Sequence, residues 1–400
     1  MPTFAVIGAG YGDEGKGLVT DYLARQNHNC VVIRSNGGAQ AGHTVTLKDG
    51  RRHVFGHIGS GTLAGADTHL SKHFIINPIL LENELIELEQ FKCIPKISCD
   101  PGAIFSTVWD MAVNQIEAYI NKKTNTCGVG IHTTLQRLDD CNLLMLDLCD
   151  YHNSTSIFKV IRESCLKLLS RKKIALSNVP SYFRDIFESE VVLTSVVENW
   201  KRIKEKITFE TDSNIQNKYY TVIFEGAQGL LLDQRRKEYP YVTPSNTGTR
   251  NIKTMLKNDA FIEMYYVTRC YKTRHGDGPF PTETTLPFDI NDTTNIPNKF
   301  QGILRTGLLD VPELVKTINE DWNELKHVGT KSLVVTCMDQ PNDLLPFIGK
   351  RGGQTKLELI NETSNCDFYS VLYSCGPTAE NITNTTGIMQ FIIDNKRGVG

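Results

Sequence analysis

The sequence predicts an α/β protein built on a largely parallel central sheet, and two features carry that expectation. Short apolar runs rich in β-branched residues have the length of buried strands: Thr3 to Ile7, Cys30 to Arg34, Tyr219 to Glu225, Met264 to Thr268, Ser332 to Met338 and Asp367 to Ser374. Segments with helical spacing lie among them, about Lys16 to Arg25, Phe105 to Lys122 and Ile157 to Arg171, and this alternation favours parallel strands joined by helical crossovers. At 400 residues the chain exceeds the usual size of one compact core. The glycine-poor stretch from about 145 to 215 reads as a helical insertion beside the sheet, so residues 1–400 are expected to form a single large domain.

The first elements also suggest where a site lies. Thr3 to Ile7 stops in Gly8-Ala9-Gly10, and a helical pattern begins at Lys16, which reads as strand, glycine loop, helix. Cys30 to Arg34 ends in a second glycine-rich loop, Gly37 to Gly42. Two such loops at strand ends point to a site at the carboxyl edge of the sheet.

Composition narrows the class of partner. The chain is 40% hydrophobic and 22% charged, with a formal charge of -2 and no block of like charge. Neither nucleic acid nor an anionic membrane is expected as a partner, because both call for a basic face. The start MPTFAVIGAG lacks the basic n-region and apolar run of a signal peptide. The eleven cysteines are an odd number without CxxC pairs, which suggests free thiols in a reducing compartment, so a cytoplasmic location is expected.

Gly10-Tyr11-Gly12-Asp13-Glu14-Gly15-Lys16-Gly17 contains the G-x-x-x-x-G-K core of a P-loop, in which backbone N–H groups approach phosphates and the lysine neutralises them. Gly17 stands where a P-loop has Ser or Thr to hold Mg²⁺, so the metal needs another oxygen, and Asp13 can supply it. The same residues suit a glycine turn with two solvated acids, and the partial motif alone does not choose. In the second loop, Asn36-Gly37-Gly38-Ala39-Gln40-Ala41-Gly42-His43-Thr44, small residues surround one imidazole. A lone histidine is more often a structural hydrogen-bonding group, although a protonated imidazole here could stabilise charge on a phosphoryl oxygen.

Together the two loops resemble the adenylosuccinate synthetases. Gly12-Asp13-Glu14-Gly15-Lys16-Gly17 is similar to that family's signature hexapeptide, and Gly37 to Thr44 resembles its following loop GGxNAGHT, with Gln40 for the asparagine. The likeness continues through Phe224-Glu225-Gly226-Ala227-Gln228-Gly229, Tyr239 to Thr247, Gly278-Pro279-Phe280-Pro281-Thr282-Glu283 and Ser374-Cys375-Gly376-Pro377. These blocks occur in order from residue 8 to residue 377 and so span nearly the whole chain.

The resemblance implies a ligase that joins L-aspartate to the 6-position of a purine nucleoside monophosphate through a 6-phosphoryl intermediate, using Mg²⁺ and GTP or ATP. It makes Asp13 the base for the purine N1 proton, His43 the aid to phosphoryl transfer and Gln228 the holder of the purine edge. Asp13 and Gly42 would hold the metal. Gly12, Asp13, Glu14, Gly15, Lys16, Gly17, Gly42, His43 and Thr44 would surround the triphosphate, with Asp339, Ser374, Gly376 and Pro377 at its base. Asn36, Gln40, Ala41, Thr126, Cys127, Arg137, Gln228 and Thr243 would contact the monophosphate substrate. A homodimer, with an arginine entering the partner's site, is the implied assembly.

Departures from the family pattern bear on the substrate. Phe300-Gln301-Gly302-Ile303-Leu304-Arg305-Thr306-Gly307 stands in place of TTGRRRRTG, a cluster that clamps aspartate and reaches the ribose 2′-hydroxyl. One arginine remains, leaving Gln301, Gly302 and Arg305 as the expected aspartate contacts, and a substrate without a 2′-hydroxyl misses the lost donors least. Thr336-Cys337-Met338-Asp339 replaces the guanine-reading TKLD, which makes ATP an alternative to GTP. These changes, with Ser106 to Asp110 and Cys127 to Ile131, resemble the phage-associated branch that converts dGMP to N6-succinyl-2-amino-2′-deoxyadenylate; host cytoplasm would then be the location. Against this, Asp13 is retained where much of that branch has a small residue. Three readings therefore stand: a dGMP ligase, expected first; an ordinary synthetase using IMP and GTP; and a nucleotide-binding switch without ligation.

Overall fold

A computed structural model of the chain describes residues 1–122, 126–149, 153–257, 260–290, 292, 303–326 and 328–397, the last three of these by backbone alone. Ten strands form the central sheet: Thr3–Gly8 (β1), Cys30–Arg34 (β2), Asp67–Leu70 (β3), Ile97–Cys99 (β4), Ile207–Phe209 (β5), Thr221–Gly229 (β6), Ile262–Arg269 (β7), Gly329–Thr336 (β8), Val371–Ser374 (β9) and Ile382–Asn384 (β10). Their order is β5-β4-β3-β2-β6-β1-β7-β8-β9-β10. All neighbours run parallel except β9 and β10. The expected α/β class with a mostly parallel sheet is therefore the observed one. Among the described residues, no helix is long and apolar enough to cross a membrane.

Strands buried on both faces read as continuous apolar runs, and β1 and β2 are buried at every position. The helix Lys16–Gln26 (α1) lays Leu18, Val19 and Leu23 over Val6 and Val32 of those strands. β8 begins at Gly329, earlier than the expected Ser332, and stops at Thr336 because Cys337 turns left-handed, with φ 63°. The last parallel strand is shorter than the expected run from Asp367, since Phe368 closes a turn onto Cys366 before β9 begins. The helix expected from Phe105 starts instead at Val108, where Thr107 and Asp110 form a reciprocal capping box.

The predicted insertion contains helices Ser154–Arg171, Ser181–Glu188 and Glu190–Lys204. Its end is not beside the sheet but in it, because β5 pairs with β4 as the edge strand. One apolar cluster joins these helices to the flank of the sheet around Trp109 and Trp200, both fully buried. Each indole N–H reaches a carbonyl, Trp109 that of Ile186 at 3.0 Å and Trp200 that of Leu148 at 3.2 Å. This meets the polar end of an otherwise apolar ring.

Candidate active site

The carboxyl ends of β1, β2, β6, β7 and β8 converge on the two glycine loops. After β1 the chain passes through left-handed positions at Gly12, Asp13 and Gly15, with φ 98°, 64° and 101°. A non-glycine residue in that region carries strain of roughly 1–3 kcal/mol, the kind concentrated at functional sites. Glu14 fills the loop's cradle. Its Oε1 accepts the N–H groups of Gly10 and Gly12 at 3.0 and 2.8 Å, and its Oε2 meets Lys16 Nζ at 2.7 Å. The donors that a P-loop offers to phosphate thus serve an internal carboxylate, and a bound phosphate would compete with Glu14 for Lys16. A Cβ at Gly17 would lie 2.8 Å from the Thr44 carbonyl oxygen. The hydroxyl residue of a true P-loop is excluded here by contact with the second loop.

Asp13 stands at the mouth of this cradle. Its Oδ2 is 3.1 Å from His275 Nε2, and Arg269 donates to its backbone oxygen at 2.6 Å. Burial works to raise the Asp13 pKa, but the His275 hydrogen bond and the charges of His275, Arg269 and Lys16 together hold it below the ordinary carboxylate value. Asp13 is therefore an ionised acceptor at neutral pH.

Behind His43 lies a buried charged chain. His43 Nδ1 is 2.7 Å from Glu225 Oε1, which also accepts from the Ser60 hydroxyl at 2.5 Å. Glu225 Oε2 accepts from Ser60 N at 3.1 Å and Arg34 Nη1 at 3.3 Å, and Arg34 also donates to the Ile58 carbonyl. Arg34 and Glu225 are wholly inaccessible to solvent. Burial pushes the Glu225 pKa up, yet Arg34, His43 and Ser60 outweigh it and bring the value down to about 2. Burial lowers the His43 pKa against the pull of Glu225. An ionised carboxylate only accepts, so the imidazole hydrogen sits on Nδ1 and Nε2 presents a lone pair. The protonated imidazole expected from the sequence is thus not the resting form, because desolvation opposes its charge.

Two of the residues expected around the purine, Gln228 and Gln40, converge at Gly37. A Cβ at Gly37 would lie 3.5 Å from Gln228 Oε1 and 3.6 Å from Gln40 Nε2. Both Gln228 Oε1 and Gln40 Oε1 are buried without a hydrogen-bond partner. Gln228 is itself left-handed, with φ 57°, a conformation that lets β6 turn towards the loop. Asn36 is spent on scaffolding, accepting from Ala227 N at 2.7 Å and donating to Ala227 O and Ser245 Oγ. It ties the loop after β2 to the Thr243–Ser245 turn, where Ser245 N meets the Thr243 oxygen at 2.8 Å. Ala41 is buried, its N–H on the Gly38 oxygen at 3.0 Å, and Gly42 is exposed. Thr126 Oγ1 donates to Asn114 and accepts from Gly128 N, while Cys127 is exposed and its thiol pKa is raised by burial of the sulfur and by the Asp13 charge. That interaction places the Cys127 loop near Asp13.

Arg137 does not reach this group. It is wholly buried, with Nε on Asp110 at 2.8 Å, Nη2 on the Phe105 oxygen at 2.9 Å and Nη1 on the Cys141 oxygen at 3.3 Å. Its fork is consumed in joining the helix Val108–Asn121 to its neighbour, which corrects the monophosphate contact expected of it. Arg305 is also engaged. It grips Glu283 through two nitrogens, Nε at 2.8 Å and Nη2 closer, and donates to the Gly276 and Gly278 oxygens. The other expected aspartate contacts, Gln301 and Gly302, lie outside the described residues.

The sequence profile of adenylosuccinate synthetase matches residues 5–332. The chain belongs to the adenylosuccinate synthetase family. Its relatives include the enzyme of Lactobacillus acidophilus, 32% identical over 294 residues, which are 71% of this chain and 65% of that one. The enzyme of Thermoplasma volcanium is 30% identical over 336 residues, 80% of this chain and 73% of its own. This chain thus spans about two thirds of the length of the first relative. In fold it is similar to the fully ligated adenylosuccinate synthetase of Plasmodium falciparum, with a TM-score of 0.71, 18% identity and coverage of 95% of this chain and 99% of the other. The succinoaminodeoxyadenylate synthetase of cyanophage S-2L, bound to dGMP and dATP, gives 0.62 and 14%, covering 98% and 99%.

Seen as a member of the adenylosuccinate synthetase family, the chain departs from the sequence expectation most at the far corner of the site. Asp339 is exposed at its backbone turn after β8, its pKa raised by partial burial of the carboxyl and lowered in part by Lys356. Lys356 brings a cation to this corner from a separate helix, where TKLD carries it on the same strand. Ser374 is buried and donates to Gly376 O at 2.6 Å, Gly376 is half-buried and Pro377 exposed. Sequence reasoning passed over Arg34, Glu225 as the histidine's partner, Arg269, His275 and Lys356. The usable signal was a charged residue ending an apolar strand, as Arg34 and Arg269 do.

Proposed function

We propose that the chain is a C–N ligase that phosphorylates O6 of a purine nucleoside 5′-monophosphate and then replaces that phosphate with the amino group of L-aspartate. The observation that carries this reading is the pairing of an ionised Asp13 with a His43 whose tautomer is set by Glu225, both beside a glycine loop. Asp13 takes the N1 proton, so electron density moves to O6, which attacks the γ-phosphorus in line as the nucleoside diphosphate leaves. His43 takes up a proton from solvent at Nε2, with Glu225 on Nδ1 offsetting the charge, and the resulting N–H meets the negative charge that develops on the transferring group. The aspartate amine then adds at C6 and phosphate departs with O6. Asp13 and the Gly42 carbonyl, hard oxygen donors beside the cradle, suit Mg²⁺, which would neutralise charge on the triphosphate.

IMP with GTP is the favoured pair, because Asp13 is retained and the curated relatives named above are adenylosuccinate synthetases. One observation favours dGMP instead: the single arginine of the Phe300–Gly307 segment is already held by Glu283, which removes donors able to reward a 2′-hydroxyl. The same reading includes a homodimer, a cytoplasmic setting and some tolerance of ATP. An end-point assay with IMP, GMP, dGMP or dAMP, each with aspartate, Mg²⁺ and GTP or ATP, read by mass spectrometry, tests both. A succinylated product from IMP supports the ordinary synthetase. Product from dGMP alone replaces it with the phage-type reaction, and phosphate release independent of aspartate rejects ligation.

A further inference from the structure

On the far flank of the sheet from α1's glycine loop, three successive strands bring metal-ligating groups to their carboxyl ends. His69 lies in β3, Asp100 directly follows β4, and Asp212 follows β5. One ligand atom from each falls within 4.8 Å of the others, and all three residues are buried. None belongs to the network of Asp13, His43 and Glu225.

The hydrogen bonds around His69 leave one buried carboxylate oxygen unserved. Ser98 Oγ is 2.8 Å from His69 Nδ1 and 3.4 Å from the Thr68 carbonyl oxygen. With Nδ1 donating to Ser98, Nε2 of a neutral ring turns a lone pair towards Asp212 Oδ1 at 2.9 Å; with the Ser98 hydroxyl donating to Nδ1 instead, Nε2–H reaches Oδ1. In the first arrangement two acceptors face each other and a metal ion between them serves both; in the second the ring's own hydrogen lies there. A proton on Nε2 serves only Oδ1, yet Asp212 Oδ2 is also buried and has no hydrogen-bond partner. Asp100 stands ready on the third side, its Oδ1 and Oδ2 oriented by the N–H groups of Gly102 and Asp212 at 2.8 Å each. Oriented carboxylates, and an imidazole that donates through its other nitrogen, are the supporting shell that metal ligands ordinarily have.

We propose that His69, Asp100 and Asp212 form a second divalent-cation site, of the mixed nitrogen and oxygen kind suited to Zn²⁺ or Mn²⁺ and separate from the Mg²⁺ of the ligase reaction. Ligand atoms at ~2.1 Å from such an ion lie about 3–4 Å apart, so side-chain shifts of under about 1 Å close the shell. The ion replaces any proton on Nε2, which leaves to solvent. His73, whose ring feels the Asp212, Asp100 and Lys72 charges, borders the site on its half-buried side. The ion's role is structural: it fastens the edge strand β5, where the helical insertion returns, to β4 and β3.

Chelator-stripped full-length protein, free of nucleotide, should take up one Zn²⁺ per chain by equilibrium dialysis and metal analysis. It should also show a Co²⁺ ligand-field spectrum, and its Tm should rise. Asp13→Asn should keep this uptake, Asp212→Asn should weaken it at least ~100-fold, and Ser98→Ala, a gentler change, by about 10–100-fold. In ¹⁵N NMR of the wild-type chain, Zn²⁺ should shift the His69 Nε2 resonance. If the wild-type protein binds no Zn²⁺, or loses it only on Asp13→Asn, or His69 Nε2 keeps its proton in saturating Zn²⁺, the pair is a plain histidine–carboxylate hydrogen bond and the proposal is overturned.

Discussion

Two arginine–glutamate pairs flank the site and differ in nearly everything except chemistry. Arg34–Glu225 joins the end of β2 to the middle of β6 with no solvent exposure, and every oxygen of its carboxylate is bonded. Arg305 lies in Leu304–Gly307, the antiparallel partner of Lys272–His275, and its partner Glu283, bridged to Gly307, is 45% exposed. The first cannot exchange partners without stranding a buried charge, whereas the second can open into water at little cost. The phosphoryl side is thereby preorganised, and the side expected to take aspartate must re-pair when its ligand arrives.

The largest expected effect breaks the buried pair. Glu225→Gln leaves Arg34 charged without its counter-ion and should destabilise the fold by about 3–5 kcal/mol in denaturant titrations. The substitution should also free the His43 tautomer, so activity should fall beyond what instability explains. Next in size is Asp13→Asn, which removes the ionised acceptor. Turnover should drop by at least ~10²-fold with Tm little changed, and near-normal turnover in a folded variant would take Asp13 out of the reaction.

His43→Asn sharpens the comparison, because a group aiding only the transition state should lower kcat and leave monophosphate affinity intact. Lost affinity with kcat preserved would mark His43 as structural. Acid gives a further test of the buried pair. The Glu225 pKa is depressed to about 2 from an ordinary 4.5. The stability it contributes is therefore complete above about pH 4.5 and is lost as pH falls towards 2. Between those limits the wild-type and Glu225→Gln stability curves should approach each other; parallel curves would mean that Glu225 is not held ionised. The smallest effect belongs to Glu283→Gln. It should leave Tm unresolved from wild type while changing the aspartate KM more than kcat, since Arg305 is released.

Six of the ten strands in the described sheet and the chemistry-bearing loops were legible because their signals are local, apolar runs between glycines and G-x-x-x-x-G-K, whereas β3, β4 and β10, only three or four residues each, were not. Nor were the supporting charges. His43 meets Glu225 across 182 positions and Arg269 meets the Asp13 backbone across 256, separations that only the parallel sheet order closes. Arg137 misled for the same reason, since its partner Asp110 sits on another helix and turns an apparent ligand into a strut. The edge strand β5 was hidden at the end of a helix-rich stretch, three residues long and without a turn signal of its own.

The central claim, that O6 itself is phosphorylated, is open to one direct measurement. With a purine monophosphate carrying ¹⁸O at position 6, together with aspartate and triphosphate, a single turnover should place the label in the released phosphate, because O6 departs bonded to phosphorus. Succinylated product with unlabelled phosphate would mean that O6 left by another route, and the roles assigned to Asp13 and His43 would be contradicted.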